Sequence, residues 1–258
     1  MKSIEKLSRF FFSCLLFFAV IISLSLSSSC QEKVIIREKE VQVKEVPRGS
    51  SSIFFDEFNP DDNILRNVWR SNGKAHWVWQ GKTASNLPGC ENGCLKQNSE
   101  DTRALNAIQY VATPQISNAT IKTKTRIKYD RSVAPSSEEL RNLRFFIGTG
   151  IVFRMEDENN YYMFRLAGEA GAVLGKMVNN NWVDLANPRR LDFLEGGRIK
   201  PNNWYRLKVK VYGNNIQCFI NDSPVINYTD SQNPFSVGHF GLCTFKCFGD
   251  FEFIEVTE

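Results

Sequence analysis

From Ile53 onward the chain is a succession of short apolar or alternating runs, each cut off by turn residues before it reaches helical length. That rhythm limits the fold more than any other feature. Period-two alternation buries one face of a strand, whereas a helix needs apolar residues at i, i+3 and i+4. In residues 120–128 β-formers alternate with Lys122, Lys124, Arg126 and Lys128, which reads as a strand with one wet face. Turns are marked at Gly213-Asn214, at Asn221-Asp222 and at Glu156-Asp157-Glu158-Asn159. The pattern predicts strands at 53–57, 75–80, 105–111, 120–128, 143–155, 160–167, 172–178, 182–185, 204–212, 215–220, 224–228, 238–244 and 251–256. Only 137–142 and 188–194 carry a hint of helix. So many strands, with no repeat of fixed period, predict an all-β chain: an antiparallel jelly-roll sandwich of two sheets.

The segment ahead of that body reads as an address. Lys2, Lys6 and Arg9 precede an apolar stretch at 10–26, and Ser27, Ser28, Ser29 and Cys30 follow. This is the layout of a secretory signal peptide over residues 1–29. A membrane span takes ~20 apolar residues, so a retained anchor is the alternative. Leu26-Ser27-Ser28-Ser29-Cys30 resembles the lipobox of bacterial lipoproteins, with Leu one position further from the Cys than usual. The resemblance implies lipidation at Cys30 and a lipid-anchored place in the bacterial cell envelope, at the outer membrane. Residues 30–52, with charge runs ending in Pro47, Gly49 and Ser50–Ser52, then read as a tether, leaving 53–258 as the folded domain.

Charge excludes some partners. The formal net charge of +4 is half carried by the signal segment, so the body is near neutral and gives no reason to expect nucleic acid. Two histidines in the chain exclude a His-rich metal site. There is no Gly-x-Ser-x-Gly elbow, phosphate loop or His-Glu-x-x-His. Glu156-Asp157-Glu158 has the wrong spacing for a glycosidase pair, because adjacent residues of a strand point to opposite faces.

Carbohydrate is the ligand class the residue types favour. A sugar offers apolar C–H faces and a hydroxyl rim, which call for aromatic rings and forked polar groups. Arg154, Tyr161, Arg165 and Trp182 supply both on neighbouring predicted strands, with Tyr161, Met163 and Arg165 on one face. Trp77, Trp79 and Trp204 are expected in the core. Of the seven cysteines, Cys90 and Cys94 are spaced to close a small disulfide loop in an oxidising compartment, while Cys243 and Cys247 are too far apart to bridge along an extended strand.

Gly150-Ile151-Val152-Phe153-Arg154, Asn160 to Arg165, Trp204 to Val209, Gly213 to Ile216, Ile220-Asn221-Asp222 and Gly238 to Leu242 together resemble the concanavalin A-like (LamG-like) jelly-roll superfamily. Phe55-Asp56-Glu57-Phe58 and Phe251 to Val256 resemble its opening and closing strands. Within it the chain is most similar to 3-keto-disaccharide hydrolase and family-16-like domains. The resemblance implies a Ca²⁺ site between first and last strands, with Asp56 and Asp250 as ligands beside Glu57 and Glu252. The expectation is a non-catalytic carbohydrate-binding domain. The alternatives are a keto-disaccharide or β-glucan hydrolase, and a protein-binding adhesion or scaffold domain.

Overall fold

The computed structural model describes residues 51–81, 93–97, 106–128, 147–188 and 190–258. The signal, Cys30, the tether to residue 50, Cys90 and the 137–142 segment lie outside them. The described residues form strands β1 (Ser52–Asp56), β2 (Trp69–Ser71), β3 (Trp77–Gly81), β4 (Gly93–Gln97), β5 (Ala107–Ile116), β6 (Ala119–Lys128), β7 (Gly148–Asp157) and β8 (Asn160–Leu166). They continue with β9 (Ala172–Val178), β10 (Asn181–Ala186), β11 (Tyr205–Tyr212), β12 (Asn215–Ile220), β13 (Ser223–Thr229), β14 (Gly238–Phe245) and β15 (Phe248–Thr257). One four-residue helix, α1 (Asn63–Arg66), is capped by the Asp62 carboxylate. Among the described residues no helix is long and apolar enough to cross a membrane.

Every pairing is antiparallel, and the strands form two sheets. One has eight strands, in the order β13-β12-β11-β6-β15-β4-β3 with β1 also on β15; the other has seven, in the order β10-β9-β8-β7-β14-β5-β2. The expected two-sheet sandwich is therefore what the chain adopts. Three hairpins are set by turn chemistry. Asn179-Asn180 and Asn221-Asp222 take positive φ, as tight turns between twisted strands require, and Gly213 does so at the β11–β12 turn.

Alternation builds the core. On β6, Ile121, Thr123, Thr125 and Ile127 face inward, and on β8 Tyr162, Phe164 and Leu166 do so from the opposite sheet. The wet face of β6 meets acids of β15: Lys122 bonds Glu255 at 2.8 Å, Arg126 bonds Asp250 at 2.7 Å, and Lys124 pairs with Glu252. Thr123 and Thr125 donate to Phe253 and Asp250 carbonyls beside the β15 bulge, so that inward hydroxyls satisfy backbone acceptors where the ladder breaks. Trp77 and Trp79 pack half-buried against the core, but Trp204 lies on the wet face, its ring under Arg126 at 4.6 Å and Lys124 at 5.3 Å.

Strands β2 and β4 escape the sequence pattern. The first is only three residues long. The second, Gly-Cys-Leu-Lys-Gln, is buried on both faces and so shows no alternation. The described residues of 188–194 hold no helix; a single 3₁₀ turn follows at Glu195–Gly197.

Candidate functional site

The outer face of the seven-stranded sheet carries a second apolar cluster, separate from the core, made of Ile108, Val152, Met155, Tyr161, Met163, Met177 and Cys243. Three of its members, Tyr161, Met163 and Met177, line a pocket of about 650 Å³, within the range usual for small-molecule sites. Register explains why these side chains meet. Tyr161 lies opposite Met177, which lies opposite Trp182; Met163 lies opposite Gly175, which lies opposite Asp184. Two rows of outward residues thus run across β8, β9 and β10.

Trp182 forms one wall. Its Nε1–H donates to Asp184 Oδ1 at 2.7 Å, pinning the indole along its own strand. Gly175 makes that pose possible: a Cβ there would come within 2.3 Å of the indole. Glycine inside a strand is unfavourable in itself, and here it clears room for a flat ring.

Tyr161 and Arg165 lie deeper, 1% and 6% exposed. Burial pushes the Tyr161 phenol above its ordinary range, with Cys243 adding to the shift and a side-chain hydrogen bond with Asn106 opposing it, so it stays a hydroxyl donor at neutral pH. Arg165 lies over the Phe245 ring at 4.4 Å, and its Nη1 lies 3.0 Å from where a Cβ on Gly148 would stand. Burial pulls its pKa down, opposed by Cys243, Cys247 and Asp184.

Further polar groups reach the pocket without having been read as ligands from sequence, among them Lys74, Asn106 and Glu158. Asn72 bonds the Asn106 carbonyl through Nδ2 and takes Ile108 N–H on Oδ1, fixing the loop that brings Lys74 to the rim. Asn106 takes positive φ, and its Oδ1 is buried with no hydrogen-bond partner. Glu158 comes from the β7–β8 turn, so the acidic triplet contributes one carboxylate to the pocket even though its spacing fails as a strand-borne pair. The legible signals were the turn-forming Asn72-Gly73 and the glycine within β9.

Arg154 is a correction. Alternation places it outward with Tyr161, but an extra residue in β7 opposite His239–Gly241 breaks the register. Arg154 takes φ of 46° there and turns away from the pocket. Its guanidinium donates to the carbonyls of Ser117 at 2.9 Å, Gly213 at 2.7 Å and Phe235 at 2.8 Å. It is a clamp on three loops.

Asp56 and Asp250 are buried but are not brought together. Asp56 faces Ile254 across the β1–β15 ladder and accepts from Trp69 Nε1 at 2.7 Å and Phe58 N at 2.6 Å. Asp250 faces Arg126 and Lys96 on the two neighbouring strands. Among the described residues no three His, Cys, Asp or Glu side chains cluster as metal ligands. The physical reason is register: four positions along β15 separate the two acids, and protein donors hold each. Cys94 is disulfide-bonded, while Cys90, its expected partner, lies outside the described residues. Cys218, Cys243 and Cys247 are buried thiols, and burial pushes Cys243 and Cys247 up to about 12.

The arrangement can stack a ring on Trp182, donate from Tyr161 and Lys74, and receive a hydroxyl on the Asn106 oxygen. The fold is shared with solved structures. One is the carbohydrate binding module CBM66 from Bacillus subtilis, at 18% identity and TM-score 0.54, covering 74% of this chain and 96% of that one. A protein of unknown function with galectin-like fold, also from Bacillus subtilis, aligns at 10% identity and TM-score 0.52, covering 81% and 96%. A structure from work on endo-acting O-glycanases of the human gut microbiota aligns at 10% and 0.51, covering 81% and 99%. No curated protein matches the chain. Residues 65–253, well over half the chain, match the 3-keto-alpha-glucoside-1,2-lyase-like domain, and the protein belongs to that family.

Proposed function

We propose that the domain binds an α-glucosyl saccharide in the pocket beside Trp182, as a carbohydrate-binding jelly roll. The observation that carries the reading is an indole packed against Gly175 in the same pocket as the buried, partnerless Asn106 Oδ1. One supplies a stacking face, the other an acceptor waiting for a hydroxyl. An unsatisfied buried acceptor costs ~1–3 kcal/mol, which a bound sugar hydroxyl would recover. The family match favours α-glucosides, and the fold shared with a carbohydrate binding module agrees with a binding role.

Trp182→Ala should weaken binding of a glucosyl disaccharide about tenfold or more, the scale of a lost aromatic stack plus its buried area. Its effect on stability should be small, because the indole is partly exposed on an edge strand. Gly175→Ala should weaken binding similarly by lifting the ring. Isothermal titration checks both, and unchanged affinity in the two variants would remove this pocket from consideration.

A second reading is enzymatic, and the two carboxylates Glu158 and Asp184 in the pocket favour it. A ketone at C3 acidifies the C2 hydrogen of a glucoside. A base removing that proton leaves the electron pair to form C1=C2 as the glycosidic C1–O bond breaks and its oxygen departs with a proton. Running the same titration with a 3-keto disaccharide while following enone absorbance separates the readings: turnover assigns the lyase role, and binding without turnover assigns the module.

We also infer that the domain is exported and tethered to the cell envelope through Cys30, on the strength of the signal and lipobox pattern. Two or more acyl chains anchor a protein stably, at ~0.8 kcal/mol per buried CH₂. Cys30→Ser should shift the protein from the detergent to the aqueous phase on Triton X-114 partition; an unchanged distribution would contradict the anchor.

A further inference from the structure

We propose a second ligand site, distinct from the Trp182 pocket, that takes an oxyanion-bearing saccharide: a sugar ring carrying a carboxylate or sulfate. It lies at the open edge of the sandwich, where β2 of the seven-stranded sheet and β3 of the eight-stranded sheet face each other. Trp69 and Trp79 meet there across the two sheets, ring centroids 6.4 Å apart. A cleft of about 700 Å³ opens between them, lined by Arg66, Arg70, His76, Trp77, Trp79 and Gln109 among others. No residue of this cleft lines the Trp182 pocket.

Charge, shape and unmet hydrogen bonding all point to the same ligand. Among the described residues that line the cleft there are two arginines and no carboxylate. Both guanidinium groups are held by backbone carbonyls: Arg66 Nη1 by Pro60 at 3.1 Å, Arg70 Nη1 by Asn67 at 2.7 Å and Trp69 at 2.8 Å. Groups oriented in this way lose less entropy when they grip an anion, and the planar fork fits a carboxylate or sulfate. Arg66 also lies over the Trp79 ring at 5.7 Å, which keeps it at the cleft wall.

Two buried polar atoms of residues lining the cleft lack partners. Trp77 Nε1 is buried without an acceptor, and Gln109, 5% exposed, has a side-chain oxygen buried without a donor. The fold elsewhere satisfies such atoms: the neighbouring Trp69 Nε1 bonds Asp56 at 2.7 Å. An N–H donor and an amide oxygen left open in one cleft match the alternating oxygens and hydroxyls of a sugar, and the indoles offer the flat apolar wall that its C–H face needs. The two guanidinium groups above then select the acidic form of that sugar over the neutral one.

The test titrates the mature full-length chain, carrying Trp182→Phe so that the other pocket contributes no indole signal, and follows tryptophan fluorescence. The ligands are a glucuronate-containing disaccharide, a sulfated glucose disaccharide and the neutral parent. Saturable binding of at least one charged sugar is expected, tighter than the neutral parent and weakening as salt rises. Arg66→Gln with Arg70→Gln should cut that affinity about tenfold or more, because both forked donors to the anion are lost. Both arginines are exposed, so the fold survives their loss. Trp77→Phe, which keeps a ring and deletes only the N–H and part of the area, should cost several-fold. Failure of both charged sugars to bind, or binding undiminished in the double variant, would overturn the proposal and leave the Trp182 pocket untouched.

Discussion

Asp230→Ala is expected to destabilise the domain by about 3–5 kcal/mol, because it strands a buried ammonium. Lys176 on β9 and Tyr162 on β8 both point into the core, in register with each other. The Lys176 and Asp230 side chains are 6% and 1% exposed, and Lys176 Nζ sits 2.7 Å from Asp230 Oδ2. Tyr162 donates to the same oxygen at 2.6 Å, and Gln232 N–H donates to Oδ1 at 2.9 Å. Tyr162 in turn accepts from Phe235 N–H at 3.3 Å. One carboxylate therefore fastens the segment between β13 and β14 to the seven-stranded sheet.

Burial alone would raise the Asp230 pKa, but Lys176, Tyr162 and Gln232 outweigh it and hold the carboxyl below its usual range. The sign of the pH effect follows. A carboxyl more acidic in the folded chain stabilises at pH above its unfolded pKa of ~3.9, and that contribution fades as pH falls through the folded value. Thermal melts should show the midpoint of Asp230→Ala about 6–20 °C below the parent at neutral pH, with the gap narrowing below about pH 4. Asp230→Asn, which removes the charge and keeps an acceptor oxygen for only one side of the network, should fall between. A loss under ~1 kcal/mol for the alanine variant would show that the network carries little of the fold.

Arg154→Met should cost a comparable amount, about 3–5 kcal/mol, through three carbonyls left without donors at one end of the sandwich. Ser117 belongs to the β5–β6 turn, Gly213 to the β11–β12 turn and Phe235 to the segment before β14. These loops come from both sheets, so the guanidinium replaces backbone pairing that neither sheet can supply. Arg154→Lys should rescue little, since a single ammonium cannot reproduce the fork. Burial lowers the Arg154 pKa, with Tyr162 acting against the shift. Because Arg154 and Asp230 both secure the 230–237 segment, the double variant should fall short of additivity. Hydrogen exchange would show the effect locally, as lost protection at the three turns; melts within ~1 kcal/mol of the parent would refute the clamp.

These two residues also show where the sequence stops speaking. Strand rhythm was readable because burial of one face imposes it: β9 and β12 fall where alternation and Asn or Gly turns place them. Arg154 was misplaced because strict alternation knows nothing of a bulge, and a bulge is a property of two strands in register. The same limit explains Asp56 and Asp250, both near the right ladder yet tied to separate donors.

Tyr161, Arg165 and Trp182 were legible as a set, since outward positions of adjacent strands converge whatever the loops do. Lys74, Asn106 and Glu158 were not, because turns deliver them, and turn residues carry no periodicity that reveals what they face. β4 stayed hidden for the opposite reason: a strand buried on both faces loses the alternation that would announce it.

On the proposed reading, saccharide is held on the outer face of the seven-stranded sheet. Five tryptophans make it directly testable, because Trp69, Trp77 and Trp79 mark the edge cleft, Trp182 the pocket and Trp204 the wet face of the other sheet. In a ¹H–¹⁵N spectrum of the labelled chain, a neutral α-glucosyl disaccharide should shift the Trp182 indole resonance saturably and leave Trp204 in place. Shifts confined to Trp204, or no shift at any indole up to millimolar sugar, would contradict the account.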